Sequence, residues 1–301
     1  SLHDALPIYY DPSTYRTLNE TFFWLSWRPI HNYTNNIYDD EGWWALTWLH
    51  AYTASGNSQN KYLHRAERLF HHIWKKGWVI GCGESLYFKK PKLYQNAVTN
   101  GVNLNLSLRL YDVTRNEKYK ENAAKVLKWF DASGLLENEH HLVNDGLDPN
   151  CVPQGDLWTY NQGLYIEAFS RLGQIDRAWN LFEASKKYLT HENGVIYEVN
   201  CEMKADACGE DGVMFKGIYI KSLRVLGEKL KASGDQVRFE KLLAFSKTQA
   251  EAVLHSEKNS KGWYPLRWGS QAKDAGQFTP VTHVAALEAL LLYDYLMQLS
   301  R

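Results

Sequence analysis

The chain has no net charge: its 34 Lys and Arg balance 34 Asp and Glu across 301 residues. Without a basic stripe, nucleic acid is not expected as its main partner. A neutral substrate such as a carbohydrate suits it better than a polyanion. No apolar run reaches the roughly 18 residues that cross a bilayer, so no transmembrane segment is expected. The opening Ser1-Leu2-His3-Asp4-Ala5-Leu6-Pro7-Ile8 has neither the charged start nor the long apolar core of a signal peptide. With no initiator Met, the chain reads as a mature or shortened form. No Cys-x-x-Cys occurs among its four cysteines, which argues against structural zinc. No His/Asp/Glu cluster has ligand spacing, so no metal and no cofactor are expected. Val and Ile runs of strand character are scarce, and no 34- or 40-residue repeat recurs, which counts against a superhelical array.

Aromatic residues are abundant, with 12 Trp and 19 Tyr, mostly near turns and between helical stretches. Cores prefer Leu, Ile and Val, which carry no polar atom to satisfy, so this excess suits an aromatic-lined cleft. Cys201 and Cys208 close a short loop. A disulfide there and four free thiols (with Cys82 and Cys151) are both open readings. Asn19-Glu20-Thr21, Asn32-Tyr33-Thr34 and Asn105-Leu106-Ser107 match the N-glycosylation pattern. The third falls inside an expected buried helix.

Apolar periodicity predicts helices over 41–52, 61–75, 94–111, 119–130, 158–172, 176–188, 212–230, 237–254 and 282–299. They come in pairs. Connections within a pair are short, as in antiparallel helix hairpins. Those between pairs are long and rich in Gly, Asn, Asp, Pro and aromatics: 77–92, 133–157, 190–211 and 255–281. The first helix of each pair is the more apolar or small-residue-rich. This alternation is what an α/α toroid requires, with inner helices starting at one rim. The expected fold is therefore all-α, an (α/α)6 barrel in a single domain over 1–301. Residues 1–30 are irregular or truncated in this reading, and the N-terminal hairpin is incomplete.

The run Tyr38-Asp39-Asp40-Glu41-Gly42-Trp43-Trp44 places two adjacent carboxylates where a helix begins. Adjacent acids repel, which separates their protonation states. Glycoside hydrolysis needs that division: one carboxylate as nucleophile or base, one acid as proton donor. An indole offers a broad apolar platform for the C–H face of a sugar. The plainer reading is a helix start with acids in its first turn and two core tryptophans. Other inner-helix starts bring Asn96 and Asn100, then Trp158, Tyr160, Asn161 and Gln162, then Asp211, Phe215 and Lys216. Amides both donate and accept, which matches sugar hydroxyls. Each alone has a plain alternative, a cap for an Asn and a solvent contact for a Lys. Their recurrence at corresponding positions makes them candidate substrate-binding residues.

These stretches carry a resemblance. Tyr38-Asp39-Asp40-Glu41-Gly42-Trp43-Trp44-Ala45-Leu46, Tyr94-Gln95-Asn96-Ala97, Asn144-Asp145-Gly146-Leu147-Asp148, Trp158-Thr159-Tyr160-Asn161-Gln162-Gly163 and Phe215-Lys216-Gly217-Ile218-Tyr219 resemble glycoside hydrolase family 76, the α-1,6-mannanases. The resemblance runs from about Asn36 to the C-terminus. It implies an (α/α)6 barrel that cleaves α-1,6-linked mannose backbones with retention, Asp39 as nucleophile and Asp40 as acid/base. The chain is expected to be secreted or at the cell surface and to work as a monomer. Where the family often has a Gly-Gly-Ile-Trp-Trp-like loop, this chain has Gly81-Cys82-Gly83-Glu84-Ser85-Leu86-Tyr87-Phe88, so one sugar platform differs. The segment before Asp39 is shorter than the family's opening hairpin.

Spacing points to retention independently. Neighbouring Cα atoms lie about 3.8 Å apart. Their carboxyl groups readily reach the roughly 5–5.5 Å of a covalent glycosyl-enzyme route, and less readily the roughly 6.5–9.5 Å that inversion needs. Two other readings stay open on sequence: a transglycosylase acting on mannan or a glycolipid, and a non-catalytic glycan-binding protein on the same scaffold.

Overall fold

A computed structural model describes residues 34–90, 94–204 and 208–301. Two of the glycosylation patterns, and the irregular stretch expected near 15–27, lie outside or at the edge of the described residues. Nine long helices are present among those described: α1 (Tyr38–Ala54), α2 (Asn60–Gly77), α3 (Ala97–Thr114), α4 (Glu117–Ala132), α5 (Thr159–Arg171), α6 (Ile175–Tyr188), α7 (Phe215–Ala232), α8 (Gln236–His255) and α9 (Pro280–Ser300). Every helix expected from periodicity is there. The short connections fall at 55–59, 115–116, 172–174 and 233–235.

Three helices start later than expected, for local reasons, and the other six start one to three residues earlier. Helix α3 begins at Ala97, not 94, because the Asn96 side chain accepts from the Thr99 N–H at 3.3 Å as its N-cap. Helix α5 begins one residue late, with Trp158 as an extended N-cap. Residues Gly212–Met214 form a 3-10 turn ahead of α7. Strands were not expected, yet the first long connection holds a tight antiparallel hairpin of β1 (Trp78–Gly81) and β2 (Gly83–Leu86). Its turn is carried by Gly83, whose φ of 81° lies in the left-handed region.

The residues form two compact units. Of the described residues, the first holds those up to Ser133 together with Gly146–Val152; the second holds those of Gly134–Asp145 and Pro153–Arg301. In the first, α1 packs on α2 and α3, and α3 on α4. Helix α2 shows the expected stripe: Tyr62, Ala66, Leu69, Phe70 and Ile73 are buried at helical spacing. Helix α3 is buried on almost every face, including Asn100, Asn103 and Asn105. Asn105 is thus an interior residue, and its glycosylation pattern is incidental. Cys82 and Cys151 form a disulfide that ties the hairpin to the 146–152 segment. This pairing was not foreseen.

In the second unit, α7 packs on α5, α8 and α9. Helix α5 is buried from Thr159 to Ser170. Cys201 and Cys208 are bonded, which resolves the open choice in favour of the disulfide. Close helix approach depends on two glycines. A Cβ at Gly163 would stand 2.6 Å from the Tyr219 Cα, and one at Gly217 would stand 2.7 Å from the Ala285 Cα. Backbone blocks both positions, so no rotamer change relieves the clash. Helix propensity favours alanine over glycine by about 1 kcal/mol, but overpacking costs more. Gly163→Ala and Gly217→Ala are each expected to destabilise by about 1–3 kcal/mol in urea unfolding; a gain in stability would show that the helices can part freely.

Candidate active site

The first unit carries the paired acids. Asp39 and Asp40 lie half-buried in the first turn of α1, with Trp43 half-buried one turn on. The N-cap, Ile37, makes no side-chain cap. The loop before the helix is instead held by Glu41, which is fully buried. Its Oε1 accepts from the Asn35 N–H at 3.0 Å and the Asn36 N–H at 3.1 Å. Its Oε2 lies 3.5 Å from His72 Nε2. Burial raises the Glu41 carboxyl to about 7, against the lowering effect of those two N–H donors, and the neighbouring Asp40 adds to the rise. Burial likewise lowers His72, with Lys76 and Lys90 contributing. Asn35 Nδ2 donates to Asp40 Oδ2 at 2.7 Å. Gly42 allows α1 to lie on α3, since a Cβ there would stand 2.6 Å from Val102 Cγ1.

Asn96 and Asn100 also belong to this unit, but both serve the backbone. Asn96 caps α3. Asn100 accepts from the Leu86 N–H at 3.0 Å and donates to the carbonyls of Leu86 (2.8 Å) and Asn96 (3.0 Å). Both its amide hydrogens are therefore engaged, one in holding β2 to α3 and the other on the N-cap carbonyl of its own helix.

The second unit gathers an aromatic cluster. Tyr160 stacks on Phe215 with centroids 4.0 Å apart and planes 14° apart. Trp158 meets Phe215 edge-on at 5.3 Å and packs on Cys201, Cys208, Val213 and Leu266. Tyr160 is buried, whereas Trp158 and Phe215 are half-buried. Asn161 is fully buried and donates to Asp145 Oδ1 at 3.3 Å. Gln162 accepts from the Val143 N–H at 2.7 Å and donates to the carbonyls of Val143 and Trp158, each at 2.9 Å. Asp211 is exposed, and its carbonyl accepts from the Met214 N–H.

Lys216, read from sequence as a rim cation, is completely buried. Its Nζ donates to both Glu202 oxygens, at 2.8 and 3.0 Å, and to the Leu266 carbonyl. An ammonium has three hydrogens, and all three are engaged. The charge also lies 4.5 Å from the centre of the Trp268 ring. Beside this pair stands Glu198, also fully buried, which accepts from the Thr159 N–H at 3.2 Å and from the Thr159 hydroxyl at the start of α5. Burial pushes Glu198 up to about 8; Thr159 and Lys216 oppose the rise and Glu202 adds to it. Sequence reading missed Glu41, Glu198 and Glu202. Only Glu41 carried a local signal, as part of the Asp39-Asp40-Glu41 run. A separate cavity of about 760 Å³ in this unit, lined by residues such as His140, Arg177 and Lys187, contains none of the expected site residues.

Residues 20–298 match the sequence profile of Glycosyl hydrolase family 76. The chain belongs to that family. Among curated relatives, mannan endo-1,6-alpha-mannosidase DCW1 of Saccharomyces cerevisiae is 25% identical over 227 residues, covering 69% of this chain and 50% of the yeast protein. The chain thus spans about half the length of the curated relatives it matches. The structure is similar to the GH76A alpha-1,6-mannanase of Salegentibacter sp. HEL1_6, with a TM-score of 0.82 and 23% identity over 97% of this chain and 87% of that one. An inactive variant of that enzyme, with two adjacent aspartates changed to asparagine, was solved with alpha-1,6-mannotriose; it matches with a TM-score of 0.81, at 22% identity over the same shares of the two chains. These likenesses show the fold: the all-α class expected from sequence is that of the solved family members. Among the described residues no helix is long and apolar enough to cross a membrane, and no group of His, Cys, Asp and Glu could hold a metal ion.

Two measurements test the electrostatics. Removing one partner of a buried ion pair strands the other charge, so Lys216→Met is expected to lower stability by about 3–5 kcal/mol in urea unfolding; a loss near zero would mean that Lys216 is a surface cation. Glu41 and Glu198 hold their protons more tightly folded than unfolded, so the stability they contribute is complete below the ordinary carboxyl value, near 4.5. It is lost as pH rises through about 7 and 8. The urea midpoint should fall between pH 5 and pH 8, and Glu198→Gln should fall less over that window. An equal fall in the variant would rule out Glu198 as a source of the slope.

Proposed function

We propose that this chain is the catalytic part of a retaining endo-α-1,6-mannanase, with Asp39 as nucleophile and Asp40 as acid/base. The observation that carries the reading is the Asp39-Asp40 pair in the first turn of α1, half-buried beside Trp43. It is supported by the relative that is inactive when two adjacent aspartates become asparagine and that was solved with alpha-1,6-mannotriose. The positive end of the helix dipole favours an ionised carboxylate in the first turn. Asp39 attacks the anomeric carbon as Asp40 protonates the departing glycosidic oxygen. In the second half Asp40 takes a proton from water, which attacks the glycosyl-enzyme. No metal or cofactor enters this scheme.

Trp43, Trp158 and Phe215 are the proposed sugar-facing aromatics, because each is only half-buried. Asn96, Asn100, Gln162 and Lys216 act as supports, since their hydrogen bonds go to backbone or to a buried partner. Asp211 keeps an exposed carboxylate and stays a candidate contact. A secreted or cell-surface setting fits the two disulfides, which persist in oxidising compartments.

The test is incubation with unbranched α-1,6-mannan, with products separated by chromatography. Short α-1,6-manno-oligosaccharides are expected, beginning with retained anomeric configuration. Products longer than the starting chains would mark a transglycosylase, and binding without turnover would mark a glycan-binding protein. Asp39→Asn and Asp40→Asn should each lose at least about 100-fold in rate on mannan while melting as the wild type does. Either variant keeping more than that would remove its residue from the chemistry.

A further inference from the structure

The geometry points to a positioning chain behind Asp40: we infer that Asn35 orients the Asp40 carboxyl for proton transfer and that Glu41 fixes Asn35 from the buried side. The inference rests on the acid/base role proposed above. Its first link is the 2.7 Å bond from Asn35 Nδ2 to Asp40 Oδ2. The orientation of the Asn35 amide is set by its other end, where Oδ1 accepts from the Ile37 N–H at 3.0 Å. An N–H can only meet the amide oxygen, so the NH2 group must face Asp40.

That contact decides which oxygen carries the proton. A hydrogen-bond donor on Oδ2 disfavours protonation there, so the acid form bears its hydrogen on Oδ1. In the first half-reaction the Oδ1–H bond breaks and its proton goes to the glycosidic oxygen. The bond from that oxygen to the anomeric carbon breaks with its electron pair on the oxygen, and the bond from Asp39 to the anomeric carbon forms. Oδ2 stays with Asn35 throughout, which keeps the carboxyl from rotating.

The second link holds Asn35 itself. Glu41 Oε1 takes the N–H of both Asn35 and Asn36. Asn36 sits at φ 63°, in the left-handed region that asparagine tolerates better than most residues. Its carbonyl accepts from the Lys90 N–H at 3.3 Å, and Ile37 bridges to Lys89. The loop is thus fastened on two sides, and the fully buried Glu41 is the inner fastening. Successive helical side chains diverge by about 100°, so Asp40 can stay half-exposed while Glu41 turns inward from the next position. A purely structural Glu41 would need only the loop contacts; the Asn35–Asp40 bond is what connects it to the chemistry.

The test uses two substrates that differ in the demand for a proton: an α-1,6-manno-oligosaccharide and an α-1,6-mannobiosyl fluoride, whose leaving group needs none. Asn35→Asp keeps the acceptor for Ile37 and removes the donor to Asp40. It is expected to lose about 10–100-fold in kcat on the oligosaccharide with KM nearly unchanged, and little on the fluoride. Glu41→Ala should show the same split, and Glu41→Gln, which keeps an oxygen for the two amides, should fall less than Glu41→Ala. Should Asn35→Asp fold poorly, Asn35→Ala gives the same comparison. Equal losses on both substrates, or wild-type rates on both, would overturn the positioning role. Asp40→Ala is run in parallel: if it alone splits the substrates, the inference fails and the acid/base reading stands. If Asp40→Ala cleaves the oligosaccharide normally, the acid/base reading fails too.

Discussion

Buried backbone in the long connections is the constraint on which this structure turns. A loop that enters the interior carries N–H and C=O groups that must find partners. In both units a helix supplies them with one side-chain amide, which accepts from a loop N–H and donates to a loop carbonyl. Asn100 does this for Leu86, and Gln162 does it for Val143. Gln249 accepts from Ile196 and donates to Gly194. Each clamp imitates the pairing that a neighbouring strand would give. A buried amide is costly when its hydrogen-bonding capacity is unused and stabilising when it is satisfied. The clamps therefore fix loop position as well as loop stability.

Carboxylates perform the related task at helix starts. Glu41 gathers the amides ahead of α1, and Glu198 takes the first amide and hydroxyl of α5. Glu202 accepts from the Glu198 N–H at 3.0 Å and pairs with Lys216 near the start of α7. The aromatic rings proposed to face sugar stand near these same helix starts, so their placement depends on the buried carboxyl groups that hold them. Glu41 and Glu198 sit above their ordinary carboxyl range because burial outweighs the donors they accept from. Such groups stabilise one local geometry and make it sensitive to pH.

Helix order was legible in the sequence because it depends on short-range patterning. The stripe Tyr62, Ala66, Leu69, Phe70 and Ile73 announces α2 in any context, and the run before Ala45 announces the acids. The hairpin at 78–86 was not legible. Its residues carry little strand character, and pairing is imposed by Asn100, by Gln95 and by the Cys82–Cys151 bond. Cysteine partners 69 positions apart leave no local trace.

For the candidate site, residue type lies in the sequence itself, whereas residue role depends on which distant segments each side chain meets. The sequence by itself determined which helices form, where the paired aspartates stand and which family the motifs resemble, because those properties reside in neighbouring side chains. Only the tertiary structure decided that Lys216 is a buried counter-ion to Glu202, that Asn100 and Gln162 serve backbone, and that Asn35 meets Asp40. Whether a polar side chain faces solvent or a loop carbonyl depends on how distant segments meet, and one chain read in order does not contain that distance.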